Sequence, residues 1–287
     1  MANRLAAASV ACGETYQGLD CRRLTLPCGD TVLVALQGAH VLSWVSQGRE
    51  RLYLSPANAW DGTSAIRGGV PVCFPQFNQR GILPKHGVAR NMNWTVSETV
   101  ANGDAAHIDF TLSSNPDTHA IWQQAFVAVL RVALTLGQLT LTLTVHNTEA
   151  QNELHFTGAL HTYLAVDDID LTELRGLGGR PEWDAVADVH GLADAALYFD
   201  GEFDRVYDAS ANPLHVQDGT STLHIEQSPS WANTVVWNPG EGKCAALADM
   251  PAHGFARMLC VEAAQVFEPI SIRAGGQWLG WQRLTVS

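Results

Sequence analysis

An antiparallel all-β sandwich is the fold class predicted by this sequence of 287 residues. Three observations carry that expectation. Short β-favouring runs recur along the chain with Gly, Pro, Asn and Asp between them, convincing amphipathic helices are nearly absent, and residues 125–145 read as a hairpin.

The elements follow in chain order. Residues 1–13 hold an apolar stretch, 5–12, that is too short, too Ala-rich and too weakly led by Arg4 to read as a signal segment. Residues 31–36 and 106–112 are the first β-favouring runs. Residues 126–136 and 139–145 come next, joined by Gly137-Gln138, and Gly in the first position of a two-residue loop suits a type II′ turn. The second of these runs alternates Leu with Thr, so its Leu face is expected to point into a core. The same segment is long enough to consider as a membrane span, but Arg131, Gly137, Gln138 and the threonines favour a soluble hairpin. Runs at 222–227, 234–237 and 258–262 complete the set. No linker, charge run, low-complexity tract or repeat marks a boundary, and all-β sandwiches of about 200 to 250 residues form one unit, so residues 1–287 read as a single domain.

Composition narrows the function. Hydrophobic residues make up 46% and charged residues 16%, enough to bury a substantial core. Lys and Arg number 17 against 29 Asp and Glu, a net charge of -12 that repels nucleic acid and anionic membranes. An anionic small molecule would need a local basic pocket. The six cysteines show no CxxC pair and no disulfide-rich density, so they read as reduced thiols of a cytoplasmic protein.

Four islands hold candidate chemistry. Residues 65–94 are dense in Gly and Pro yet carry Arg67, Lys85, His86 and Arg90, which suits either an active-site rim or an ordinary long connection with solvated cations. His161 follows the apolar run Thr157-Gly-Ala-Leu160, and Glu262 follows Met258-Leu-Cys-Val261. Desolvation in such a run raises a carboxyl pKa and makes it a proton carrier near neutrality. Each also has a plainer reading: a hydrogen-bonded structural histidine, a solvated glutamate at a strand end, and a simple Asp204-Arg205 ion pair.

Together, the islands resemble the hexose-6-phosphate mutarotase branch of the aldose 1-epimerase superfamily. The matching residues are Arg67-Gly-Gly-Val-Pro-Val-Cys-Phe-Pro75, Leu83-Pro-Lys-His86-Gly-Val-Ala-Arg90-Asn-Met-Asn-Trp94, His161-Thr-Tyr163 with Asp168-Ile169, Asp204-Arg-Val-Tyr207, Trp237-Asn-Pro239 with Lys243, and Cys260-Val-Glu262. Three positions depart from the pattern: Val88 stands for a frequent Phe, Lys85 for a neutral residue, and Phe77-Asn78 for an aromatic-Gly pair. The resemblance implies the galactose mutarotase-like β-supersandwich and anomer exchange of a hexose 6-phosphate, glucose 6-phosphate first. It implies Glu262 as general base, His161 as general acid, Arg67 and Arg90 as phosphate binders, and His86 and Asp204 as ligands of sugar hydroxyls. Lys85 adds charge for the phosphate.

Such exchange requires a base on the anomeric hydroxyl and an acid on the ring oxygen, expected on opposite sides of the ring, and no metal or other cofactor. The partner is then a small-molecule sugar phosphate, and the chain is read as a monomer. The alternatives are a mutarotase of free aldoses such as galactose, a non-catalytic carbohydrate-binding protein on the same fold, and a zinc hydrolase built on His86, His161 and Glu262.

Overall fold

A computed structural model describes residues 7–219 and 221–287. Antiparallel strands dominate it in three sheets, and its two α-helices, Pro116–Ile121 and Gly240–Ala245, have six residues each. The N-terminal sheet is a five-stranded meander: Ser9–Tyr16, Leu19–Thr25, Thr31–Ala35, His40–Ser46 and Arg49–Glu50. A nine-stranded sheet runs in the order Ala196–Leu197, Thr172–Arg175, Leu214–Asp218, Ser221–Gln227, Gln277–Val286, Gln138–Asn147, Phe126–Thr135, Ala105–Ser113, Thr95–Asn102. An eight-stranded sheet runs Val189–Leu192, Pro181–Asp184, Phe203–Asp208, Asn233–Asn238, Met258–Ile272, Leu154–Leu160, Val72–Cys73, with Tyr163–Ala165 also pairing on Met258–Ile272.

The β-favouring runs at 31–36, 106–112, 222–227, 234–237 and 258–262 fall in strands, except that Leu36 is already in a turn, and the last continues to Ile272. In Gln138–Asn147 every second residue is buried, and Leu139, Leu141, Leu143 and Val145 face the core. The hairpin turn differs from expectation. Thr135 pairs with Gln138, so the loop is Leu136-Gly137, and the positive φ of 66° lies at its second position rather than its first. The reason is tertiary: the Asp30 carboxylate accepts the Gly137 N–H at 2.9 Å, and Val286 N donates to the Gly137 carbonyl at 2.8 Å.

No helix of the described residues is long and apolar enough to cross a membrane, and 125–145 forms the hairpin. Cys21, Cys28, Cys73, Cys244 and Cys260 are free thiols. The reading of the N-terminal stretch extends over residues 1–6, which lie outside the described residues.

One core draws side chains from all three sheets, and strand alternation decides what lies behind it. In the eight-stranded sheet Leu259, Val261 and Ala263 enter that core, as do Val236, Tyr207 and Leu160. Their neighbours Cys260, Glu262, Val235, Trp237, Asp204 and His161 therefore belong to the opposite face, and the register sets Asp204 beside Trp237, Trp237 beside Cys260, and Val235 beside Glu262.

Candidate active site

On that face a cleft is lined by Arg67, Phe77, Asn78, Lys85, His86, His161, Asp204, Val235, Trp237, Lys243, Leu247 and Glu262. It thus gathers six of the seven expected site residues. Arg90 is not among the lining residues, and its guanidinium donates to the Lys85 carbonyl at 2.9 Å, so it braces the backbone that presents Lys85. A roomier hollow of about 590 Å³ opens elsewhere, beside Arg23, Arg49 and Arg257. Glu14, Asp218 and Asp167 already pair with those cations. Chemistry, and not size, locates the site.

Glu262 sits in mid-strand rather than at a strand end and is 1% exposed. Its Oε1 lies 3.3 Å from His161 Nδ1, but the contact lacks hydrogen-bond geometry, so His161 Nδ1 and Glu262 Oε2 are buried without a partner among the described residues. Leaving such atoms unsatisfied costs roughly 1 to 3 kcal/mol each, which a bound hydroxyl can recover. Burial, then the nearby Asp204 carboxylate, holds the Glu262 carboxyl well above its ordinary range. Burial first, then His86, Arg67 and Arg90, holds the His161 imidazole well below its own. Both shifts favour a neutral pair. A carboxylic acid beside a neutral imidazole contains the same number of protons as a carboxylate beside an imidazolium, so one proton transfer across 3.3 Å interconverts them. Glu262 and His161, the expected proton carriers, lie side by side, which differs from the expectation of groups on opposite sides of a ring.

His161 is fixed by its surroundings: it stacks on Tyr163 at 4.7 Å with an interplanar angle of 7°, and Trp237 and His86 meet it edge-on. The Tyr163 hydroxyl accepts from Arg67 Nη1 at 3.2 Å. The rest of the Arg67 guanidinium donates to both carboxylate oxygens of Asp249, at 3.0 to 3.2 Å. Asp249 escaped the sequence reading because no motif surrounds it. The glycines after Arg67 have a clear purpose, since a Cβ on Gly69, whose φ is +60°, would meet the Val41 carbonyl at 2.1 Å.

His86 is held in a closed loop. Its Nδ1 accepts the Asn78 N–H at 3.2 Å and its own N–H donates to the Asn78 carbonyl at 2.9 Å. That bond assigns the proton to Nε2 and leaves a neutral donor. Burial, then Arg90, Lys85 and Arg67, pushes its pKa down to about 2. Asn78 has a φ of 50°, which explains why Asn can stand where the pattern favours Gly. Gln76, also missed from sequence, ties the loop together: its amide donates to the Asn78 and Leu83 carbonyls, and its Oε1 accepts the Leu83 N–H, all at 3.0 Å.

Around the mouth, Lys243 pairs with Glu202 and Arg67 with Asp249, whereas no carboxylate among the described residues comes within 4.0 Å of Lys85. Burial and the nearby Arg67, Arg90 and Lys243 lower the Lys85 pKa. Asp204 points into the cleft while Arg205, on the other strand face, pairs with Glu182 and Asp184, so the two are not each other's partners. Burial raises the Asp204 pKa to about 6.

Two clusters have metal-ligating atoms within 4.8 Å of one another: His161, Cys260 and Glu262, and Glu98, His107 and Asp109. The first brings in Cys260 in place of the His86 considered for a zinc hydrolase.

The aldose 1-epimerase family model matches residues 20–285. A protein of Cenchrus ciliaris named "Putative glucose-6-phosphate 1-epimerase" is 34% identical over 261 residues, covering 86% of this chain and 78% of that protein. An Escherichia coli K12 protein of the same name is 37% identical over 243 residues, covering 82% and 79%. The crystal structure of a "putative mutarotase (YeaD)" from Salmonella typhimurium superposes with a TM-score of 0.88 at 30% identity, over 98% of this chain and 94% of that one. With the family model spanning nearly its whole length, the chain belongs to the aldose 1-epimerase family.

Proposed function

We propose that the protein interconverts the α and β anomers of a hexose 6-phosphate, glucose 6-phosphate first. The observation that carries this reading is a buried carboxyl and imidazole 3.3 Å apart, each with a partnerless atom, beneath a cleft mouth where Lys85 has no carboxylate partner. The relatives' names support the phosphate.

Once the Glu262 proton has passed to His161, the Glu262 carboxylate takes the proton of the anomeric hydroxyl while the His161 imidazolium gives one to the ring oxygen. The bond between C1 and the ring oxygen breaks, the aldehyde turns about C1 to C2, and the ring recloses with the proton movements reversed. Both oxygens are bonded to C1, so neighbouring proton carriers suit them. His86 Nε2–H and Asp204 hold sugar hydroxyls. Lys85 and Arg67 meet the phosphate, and Arg90 holds the Lys85 backbone in place. The reaction needs no cofactor. The net charge of -12 and the small polar cleft suit a cytoplasmic protein acting on a small molecule, and we read the chain as one domain and a monomer.

The Asp249 clamp on Arg67 favours the second reading, a mutarotase of free aldoses, because it neutralises one expected phosphate ligand. Exchange NMR with glucose 6-phosphate and glucose side by side decides between them. Charge-assisted bonds are worth roughly 1.5 to 3 kcal/mol, so Lys85→Met should lower kcat/KM for glucose 6-phosphate at least about tenfold and leave glucose turnover unchanged. Equal turnover of both sugars by wild type, or equal losses in the variant, would establish the free-aldose reading.

A further inference from the structure

We propose that His161, Cys260 and Glu262 form a binding site for a thiophilic divalent cation such as Zn²⁺, and that the ion shuts the enzyme off by occupying both proton carriers. The inhibitory half rests on the functional reading above; the binding half does not.

Cys260 and Glu262 are two residues apart on the strand Met258–Ile272 and so share a face, and Leu154–Leu160 delivers His161 beside them. One ligand atom from each lies within 4.8 Å of the other two. Zinc takes sulfur at about 2.3 Å and nitrogen or oxygen at about 2.0 to 2.2 Å, which puts ligands of a tetrahedral site roughly 3.4 to 3.7 Å apart. The His161–Glu262 spacing of 3.3 Å is already there, and the thiol needs a shift of about 1 Å at most.

All three side chains are nine-tenths or more buried, and two of them hold polar atoms with no hydrogen-bond partner among the described residues. The contrast with the second cluster is instructive. The carboxylates of Glu98 and Asp109 are bonded to Arg131 at 2.9 and 2.6 Å, so a cation there would have to displace a guanidinium. At His161 it displaces only protons. The Cys260 thiol releases its proton as the sulfur–metal bond forms, Glu262 releases any proton it holds, and His161 binds through a ring nitrogen. Sulfur selects Zn²⁺ and related ions over Mg²⁺ and Ca²⁺.

Zinc chloride and cobalt chloride are the probes. A chain with Cys12→Ser and Cys28→Ser should bind one equivalent of Co²⁺ with a near-ultraviolet thiolate-to-metal band, and this readout requires no activity. Cys260→Val, checked by its melting temperature, should abolish the band and weaken Zn²⁺ binding at least about tenfold. Zn²⁺ should slow anomer exchange in wild type, EDTA should restore it, and Cys260→Val should resist the metal. Bound Co²⁺ without a thiolate band, or wild-type Zn²⁺ affinity in a folded Cys260→Val, overturns the site. Full-rate exchange by the zinc-bound enzyme overturns the inhibition. Absence of anomer exchange in metal-free wild type instead defeats the functional reading, and the cobalt band then decides the site alone.

Discussion

Glu262 and His161 are buried side chains 3.3 Å apart, each with one polar atom that lacks a partner among the described residues. Glu262→Gln and His161→Asn should each slow anomer exchange at least about 100-fold, since each loses an obligatory proton carrier. Thermal melting should show both variants folded, and Glu262→Gln at least as stable as wild type. Near-normal exchange by either folded variant removes its assignment. These two residues were legible because each ends an apolar run. The 3.3 Å between them was not, because it depends on how His161 leaves its strand beside Met258–Ile272.

The loop 76–86 shows what an element adds to its residues. Lys85 and His86 are presented by a backbone that closes on the Gln76 amide and on Asn78, and Gly87 follows with a φ of +70° where a Cβ would meet the Phe74 carbonyl at 2.2 Å. Gln76→Leu keeps the volume but leaves two carbonyls and one N–H unmatched, so His86 and Lys85 should lose their fixed positions. The expected result is a rise in KM for glucose 6-phosphate of about tenfold or more with a smaller change in kcat, as for a lost positioning interaction. An equal fall in kcat for glucose and glucose 6-phosphate, at unchanged KM, would contradict the positioning role. In the other long element, the 126–145 hairpin, strand alternation was fully legible but the turn register was set by Asp30, more than a hundred residues away.

Across the whole molecule, buried titratable groups set the pH range of stability. His40 is fully buried, and its Nε2 donates to the Gly68 carbonyl at 2.7 Å. Burial lowers its pKa from 6.5 to about 4, and His86 is lowered further. An imidazole depressed in the folded state binds its proton more readily when unfolded, so its stabilising contribution is present above about pH 6.5 and is lost on acidification toward pH 4. For His40 the loss is about 3 kcal/mol. Asp204 acts in the opposite sense: raised to about 6, it weakens the fold as pH rises from about 4 through 6. Urea unfolding between pH 4 and 8 should therefore show His40→Gln with a shallower acid-side decline than wild type, and Asp204→Asn gaining relative stability above pH 6. Parallel pH profiles for wild type and His40→Gln would show that His40 does not titrate as a buried group.

Periodicity, turn residues and composition determined from the sequence alone that the chain is antiparallel β, and its motifs named the residues that converge on one cleft. Those features are local: a strand's alternation and a glycine's freedom are written within a few positions. The tertiary structure alone decided that Asp249 neutralises Arg67, that Arg90 bonds the Lys85 carbonyl, and that Arg205 turns away from Asp204 to Glu182 and Asp184. It also decided that Cys260 stands with His161 and Glu262. Charge pairing and desolvation depend on which segments meet in space, and segments such as 67 and 249 meet only once the sheets have packed.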